Sequence, residues 1–299
     1  MSRKRNTGLA LLNPRGARAA LVPPSAPAAR VRPAAPAAVD LLAALTVLAA
    51  VALLAALTLA SCGGSRGDAL QRVKSSGVLR VGTDATYPPF ETIDPETGQL
   101  AGFDVDLVRA LAARLGARAE FVVVPFDGII PGLKSGKYDL VVSAMTITPE
   151  RARQVRFTRP YVIAGQSVAT RADDASISGA KDLAGRKVGC QLGTTGELEA
   201  KKITNAQVVS FDAIGSAFRD LENGNLDAVI ADTPTARIFI RDHPGIRLAG
   251  DPLTREEFGM AVRPQDAPLA EALDQGLEAL RQGGEVARVE AKWGVSSGP

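Results

Sequence analysis

The 299-residue chain is 46% hydrophobic and carries 35 Lys and Arg against 32 Asp and Glu, a formal charge of +3, with one histidine and two cysteines. A single histidine provides neither a Ser-His pair with its supporting groups nor a multi-histidine metal site, which disfavours most hydrolase chemistry and implies no metal and no cofactor. The excess of base lies in the first 62 residues, where Arg3, Lys4, Arg5, Arg15, Arg18, Arg30 and Arg32 face one acid, Asp40; taking seven from the 35 bases and one from the 32 acids leaves 28 against 31, about −3, and no basic patch for nucleic acid.

After that basic region, Leu41 to Ala60 is almost uninterruptedly apolar and runs into Leu59-Ala60-Ser61-Cys62-Gly63. A basic region, an apolar core and small residues before a cut site read as a secretory signal over residues 1–62. Small residues directly before a cysteine resemble the lipobox of bacterial lipoproteins, which makes Cys62 the lipidated first residue of the mature protein. The alternative is a retained membrane anchor, since the run is long enough to span a bilayer. Both place the globular part outside the cytoplasmic membrane. Gly8 to Pro36 is longer than a signal needs, consistent with a start assigned too far upstream. Residues 63–77, with Gly63, Gly64, Ser65 and Gly67, read as a flexible tether.

From Val78 strands and helices alternate. Val78, Leu79 and Val81 form a strand that runs into Asp84-Ala85-Thr86-Tyr87-Pro88-Pro89-Phe90-Glu91, a turn stiffened by two prolines. Asp104 is expected to cap a helix with apolar residues Val105, Val108, Leu111, Ala112 and Leu115. Glu120–Val124 is a strand, Gly128–Leu133 a short helix, and Tyr138–Met145 one continuous buried strand. A second series starts with the strand Lys187–Gln191 and adds strands Gln207–Ser210 and Asp227–Ala231, with helices near Gly196–Lys202, Ala213–Leu221 and Pro234–Arg241. A strand near Phe258–Val262 and helices Pro268–Arg281 and Glu285–Trp293 close the chain. Cys190 falls in an apolar strand, as an inert buried thiol. Two βα series, each with a loop of polar ligand-type residues, favour two lobes.

Four short segments carry the chemistry. The first is the Asp84–Tyr87 turn, at the strand end where open α/β sheets bind ligands. In Ser143-Ala144-Met145-Thr146-Ile147-Thr148-Pro149-Glu150-Arg151, Pro149 starts a helical turn that aims Arg151 back over the strand end. Its planar fork suits a carboxylate; a solvated arginine is the plainer alternative. Gly193-Thr194-Thr195-Gly196 opens a helix and presents free N–H groups to an anion, or is an ordinary turn capped by Thr194 or Thr195. Asp232 ends a buried strand before Pro234, where capping is the plainer role.

With Gly102-Phe103-Asp104-Val105-Asp106 and Phe126-Asp127-Gly128-Ile129-Ile130-Pro131, these segments resemble, from about Val78 to the end, the family 3 solute-binding proteins, which bind polar amino acids for ABC importers. The likeness is to the glutamine and histidine/lysine/arginine binders. It implies an α/β periplasmic-binding-protein (Venus flytrap) fold of two lobes, each a mainly parallel sheet flanked by helices. Lobe one is 78–160 with 259–299, lobe two 166–253, and the crossover hinges lie near 161–165 and 254–258. By position, Arg151 clasps the ligand α-carboxylate with help from Thr146 and the Thr194–Thr195 turn, and Asp232 pairs with the α-ammonium. Tyr87 and Phe126 sandwich the side chain, and Asp84 and Gln191 face its polar end. Ala144 stands where relatives have Gly or Ser and offers only its backbone. The resemblance further implies a monomer, lipid-anchored to the outer face of the membrane, that closes on glutamine or a basic amino acid and delivers it to a permease served by a cytoplasmic ATPase. The alternatives are a cyclohexadienyl (prephenate) dehydratase on the same fold, with Asp84 or Asp232 as acid, and a ligand-sensing ectodomain.

Overall fold

The computed structural model describes residues 68–296, so the expected signal, Cys62 and the start of the tether lie outside the described residues. The rest of the expected tether is not flexible chain but a helix, α1 (Ala69–Ser76), with Asp68 accepting the Leu70 N–H at 3.1 Å and Gly77 closing it at φ 67°. Ala69 and Val73, four apart on one helical face, are fully buried. That apolar pair gives the segment something to bury, which a Gly/Ser count overlooks.

The chain continues through β1 (Val78–Thr83), an antiparallel ribbon of β2 (Thr86–Tyr87), β3 (Glu91–Ile93) and β4 (Leu100–Ala101), then α2 (Phe103–Arg114), β5 (Arg118–Val123), α3 (Ile129–Lys134), β6 (Leu140–Val141), α4 (Pro149–Ala152) and β7 (Arg156–Phe157). After β8 (Val162–Ala164) come β9 (Gln166–Arg171), β10 (Lys187–Gln191), α5 (Thr195–Lys202), β11 (Gln207–Phe211), α6 (Ile214–Glu222), β12 (Ala228–Asp232), α7 (Thr233–Asp242) and β13 (Ile246–Ala249). β14 (Glu256–Phe258) leads back to β15 (Ala261–Val262), α8 (Ala267–Gln282) and α9 (Glu285–Trp293).

Two lobes result. Their sheets run β5-β1-β6-β15-β7 and β11-β10-β12-β9-β13. In each, a parallel trio is extended by one strand that runs against it and a second that runs against the first. The chain crosses between them twice, and the crossings pair as β8 with β14, Ala164 opposite Glu256 and Val162 opposite Phe258. At Gly165 a Cβ falls 2.0 Å from the Thr254 carbonyl oxygen, so only glycine lets the crossings approach this closely. Phe90, Phe103, Tyr161 and Phe258, all buried, make successive ring contacts at 5.3–6.5 Å between the β2–β3 loop and the crossings.

Three local expectations change. Tyr138–Met145 is not one strand: pairing stops after Val141, and the backbone turns through Ala144 at φ 42°. Asp104 does not cap α2. Gly102 holds the cap position, while the buried Asp104 Oδ2 accepts Ala144 N–H and Tyr161 O–H, each at 2.8 Å, so the carboxylate holds that turn in place. Strands β9 and β13 are additional; β9 buries Gln166, Ser167 and Thr170, a polar composition that hides its strand character. Cys190 is buried as expected, and burial pushes its thiol up to about 11.

Away from the strand carboxyl ends, Asp139 is 3% exposed and bridges Arg80 (2.9 and 2.8 Å), Arg263 (3.3 Å) and Arg72 (3.3 Å). Burial works against its charge, but the hydrogen bonds from Arg80 and its neighbours prevail and hold its carboxyl below the usual range. Arg263 is itself buried. Asp139→Ala takes away the carboxylate shared by Arg80, Arg72 and Arg263, leaving buried Arg263 its pair with Asp266 at 2.6 Å, and is expected to cost about 1–3 kcal/mol in urea unfolding. In the parent protein the Asp139 contribution is present above the ordinary carboxylate pKa and is lost as pH falls through its depressed value. A loss below about 1 kcal/mol, the scale of an exposed pair, contradicts this account.

Candidate functional site

The ten residues singled out from the sequence line one cavity between the lobes, with Ser143 as an eleventh. The free volume of the cavity is about 10 Å³. That is room for about one water. A larger guest enters only if the walls part.

Arg151 is 8% exposed, unlike Arg153 and Arg156, which are solvated. Thr148 caps α4, accepting the Arg151 N–H at 3.1 Å, and Pro149 at its first position needs no donor, so the turn forms where the arginine can point inward. Nη1 donates to the Thr146 carbonyl at 2.8 Å and Nη2 to the Gly193 carbonyl, across the cleft, at 3.0 Å. The guanidinium carbon lies 5.2 Å from the centre of the Phe126 ring, a cation–π contact. Burial lowers its pKa from the usual arginine value, while Glu256, Asp232 and Glu150 favour its charge.

Asp232 ends β12 and stands at the α7 cap position but makes no capping bond. Its Oδ2 instead accepts the Tyr87 hydroxyl at 2.7 Å from the other lobe, and Tyr87 Oη accepts the Asp232 N–H at 3.2 Å. Oδ1 is buried without a hydrogen-bond partner. Burial foremost, then the charge of Glu256, push this carboxyl up to about 7.

Asp84 directly follows β1. Its Oδ1 accepts the Thr86 N–H at 2.8 Å and the Thr86 hydroxyl, and its Oδ2 accepts Gln191 Nε2 at 3.1 Å from the second lobe. Burial raises its pKa against those hydrogen bonds. Gln191 also donates to the Asp212 carbonyl at 2.9 Å. Thr194 caps α5, accepting the Glu197 N–H at 3.2 Å, and Gly193 reaches φ 77°, where its carbonyl meets Arg151. Ser143 receives the Asp84 N–H at 3.1 Å and donates to Glu91 at 2.7 Å, so the two loops share one hydroxyl.

Glu91 lies fully buried behind the cavity and Asp127 is exposed, so neither adds a charge to the lining. Sequence reasoning passed over Ser143, Gln166 and Glu256. The signal for Glu256 was there: strand alternation puts it on the buried side with Phe258 and turns Glu257 out. His243 is remote from the cavity, stacked near Phe239 with Nδ1 3.1 Å from Glu222. Among the described residues no group of His, Cys, Asp and Glu is placed to hold a metal ion.

Comparison with known proteins shows the family and the fold. The profile of the bacterial extracellular solute-binding proteins, family 3, matches residues 79–296. ABC transporter arginine-binding protein 1 of Escherichia coli (strain K12) is 35% identical over 221 residues, covering 72% of this chain and 90% of its own. Among solved structures, a mutant of ArgBP from T. maritima superposes with a TM-score of 0.73 at 41% identity, over 75% of this chain and 98% of that one. The ancestral amino acid-binding protein AncCDT-1, a precursor of cyclohexadienyl dehydratase, gives 0.71 at 39% identity, over 75% and 99%.

Proposed function

The chain belongs to the bacterial extracellular solute-binding proteins of family 3, and on that premise we propose that it captures a basic L-amino acid, arginine foremost, for an ABC importer. One observation carries the choice of ligand. The cavity lining holds one cation, Arg151, and two carboxylates, Asp84 and Asp232. A ligand with one carboxylate and two cationic groups balances that set, whereas glutamine leaves Asp84 without a counter-charge. Arg151 takes the α-carboxylate, the unpartnered Asp232 Oδ1 takes the α-ammonium, and Tyr87 and Phe126 flank the side chain. Asp84, with Gln191 beside it, then meets the guanidinium.

Arg151, Tyr87 and Phe126 stand on one lobe and Thr194 and Asp232 on the other, so one ligand satisfies both sets only when the lobes are closed. Two crossing strands are the natural pivots. The relatives it resembles, arginine-binding proteins among them, support transport rather than turnover. The permease with its ATPase, the lipid anchor at Cys62 and the monomeric state belong to the same proposal.

A thermal-shift screen of the twenty amino acids and prephenate tests it. Arginine at 100 times its Kd adds about 2.7 kcal/mol, a rise of roughly 5–10 °C for a domain of this size. Asp84→Asn is expected to weaken arginine at least about tenfold, the scale of one charged hydrogen bond, and glutamine much less. A shift confined to glutamine, or conversion of prephenate, overturns the assignment.

A further inference from the structure

Glu256 stands on β14, one of the two strands joining the lobes, and is 8% exposed. Its Oε2 accepts the hydroxyls of Thr146 at 2.6 Å and Thr195 at 2.7 Å, and its Oε1 accepts the Thr254 hydroxyl at 2.8 Å. Thr146 belongs to the first lobe and is bridged to Phe258 of the same strand. Thr195 opens α5 in the second lobe. One carboxylate oxygen is thus shared by hydroxyls from opposite lobes, and both threonines line the cavity. Gln166 extends the set from β9: Nε2 donates to Thr195 Oγ1 at 3.0 Å, and its backbone N–H to Thr254 Oγ1 at 2.9 Å.

Such a bond is charge-assisted, about twice the strength of a neutral one, and burial shields it from water. A hydroxyl carries one proton, and in both threonines that proton is committed to Glu256. The bond to Thr195 spans the lobes and lasts only while the start of α5 rests against the crossing strand. Glu256 does not line the cavity, so it acts on a guest through the two threonines and through its field on Arg151 and Asp232.

We propose that Glu256 is a positioning residue for capture, a clasp at the hinge that favours the closed lobes and sets Thr146 and Thr195 beside Arg151. The proposal rests on reading the cavity as an amino acid site. Because apparent affinity scales with the closed-competent fraction, losing the clasp weakens binding without removing a ligand contact, and does so by shortening the life of the closed complex.

The test is a double-mutant cycle read by calorimetry and stopped-flow release of arginine, with small-angle scattering of the ligand-free protein beside it. Glu256→Ala is expected to raise Kd about tenfold, mostly through koff, and to enlarge the ligand-free radius of gyration. Glu256→Gln, which keeps the shape and one acceptor oxygen, recovers part of both. In a Thr195→Val background Glu256→Ala adds less than about threefold, because the shared partner has gone. Kd and koff within twofold of the parent, or full additivity in the cycle, overturn the clasp and leave a residue that serves folding alone. A parent protein that fails to bind arginine overturns the ligand assignment instead. The clasp is then decided by scattering: expansion in Glu256→Ala supports it and an unchanged radius refutes it. If Glu256→Ala does not fold, Glu256→Gln completes the same cycle.

Discussion

Replacing Arg151 with alanine raises the Kd for arginine at least about a hundredfold, as read by calorimetry. Two of its five N–H donors are already spent on the Thr146 and Gly193 carbonyls, one in each lobe. Those bonds fix the plane of the fork and leave three donors, one on each nitrogen, of which two adjacent ones can meet a carboxylate in parallel. Alanine removes the cation from a buried site and leaves the ligand carboxylate there without a counter-charge, a loss of about 3–5 kcal/mol, where each 1.4 kcal/mol is tenfold. It also frees two carbonyls whose shared donor linked the lobes. Arg151→Lys keeps the charge as a point that cannot serve both carbonyls and a carboxylate together, and its Kd is expected to fall between the parent and alanine. An alanine variant that is folded by circular dichroism and binds arginine as tightly as the parent contradicts the role given to Arg151.

Arg151 was legible in the sequence because its signals are local: Thr148 and Pro149 start a turn, and an arginine three residues past the cap of a four-residue helix has one place to point. The same holds for Asp84, which directly follows an apolar strand, and Asp232, which ends one. Local signals mislead where a side chain serves a distant element. Asp104 has the sequence context of a helix cap, yet its carboxylate holds a turn forty residues on, at Ala144. Glu256 was hidden for a related reason, since two of its partners, Thr146 and Thr195, lie on distant segments brought together by the crossings. The twofold crossing itself depends on the pairing of Val162–Ala164 with Glu256–Phe258, a long-range register that neither run encodes alone. Such features follow from closure of the fold, and a resemblance can convey them where periodicity cannot.

Asp232→Asn is expected to weaken arginine binding on the scale of Arg151→Ala, and its pH profile separates its role from packing. In the protein without ligand, burial and then Glu256 push the Asp232 carboxyl up to about 7, well above the 3.9 of an unfolded chain. An ammonium at Oδ1 favours the charged form, so binding below that value releases a proton. Affinity therefore rises with pH, by up to about tenfold per unit, and levels off above about pH 7. Stability moves the other way. A group whose folded pKa is raised contributes fully below its unfolded value, and that contribution is lost as pH rises through about 7, so the ligand-free protein melts lower over the window in which binding tightens. Asparagine cannot titrate, and the affinity slope is expected to shrink in Asp232→Asn to the part left by Asp84, whose carboxyl burial also raises. Part of the melting slope remains, because Asp104, also pushed up to about 7 by burial, is bonded behind the cavity to Ala144 and Tyr161 and meets no ligand. Arginine titrations from pH 5 to 8 on both proteins read the two slopes independently. An affinity slope that is the same in parent and Asp232→Asn assigns the titrating group elsewhere and removes Asp232 as the partner of the ammonium.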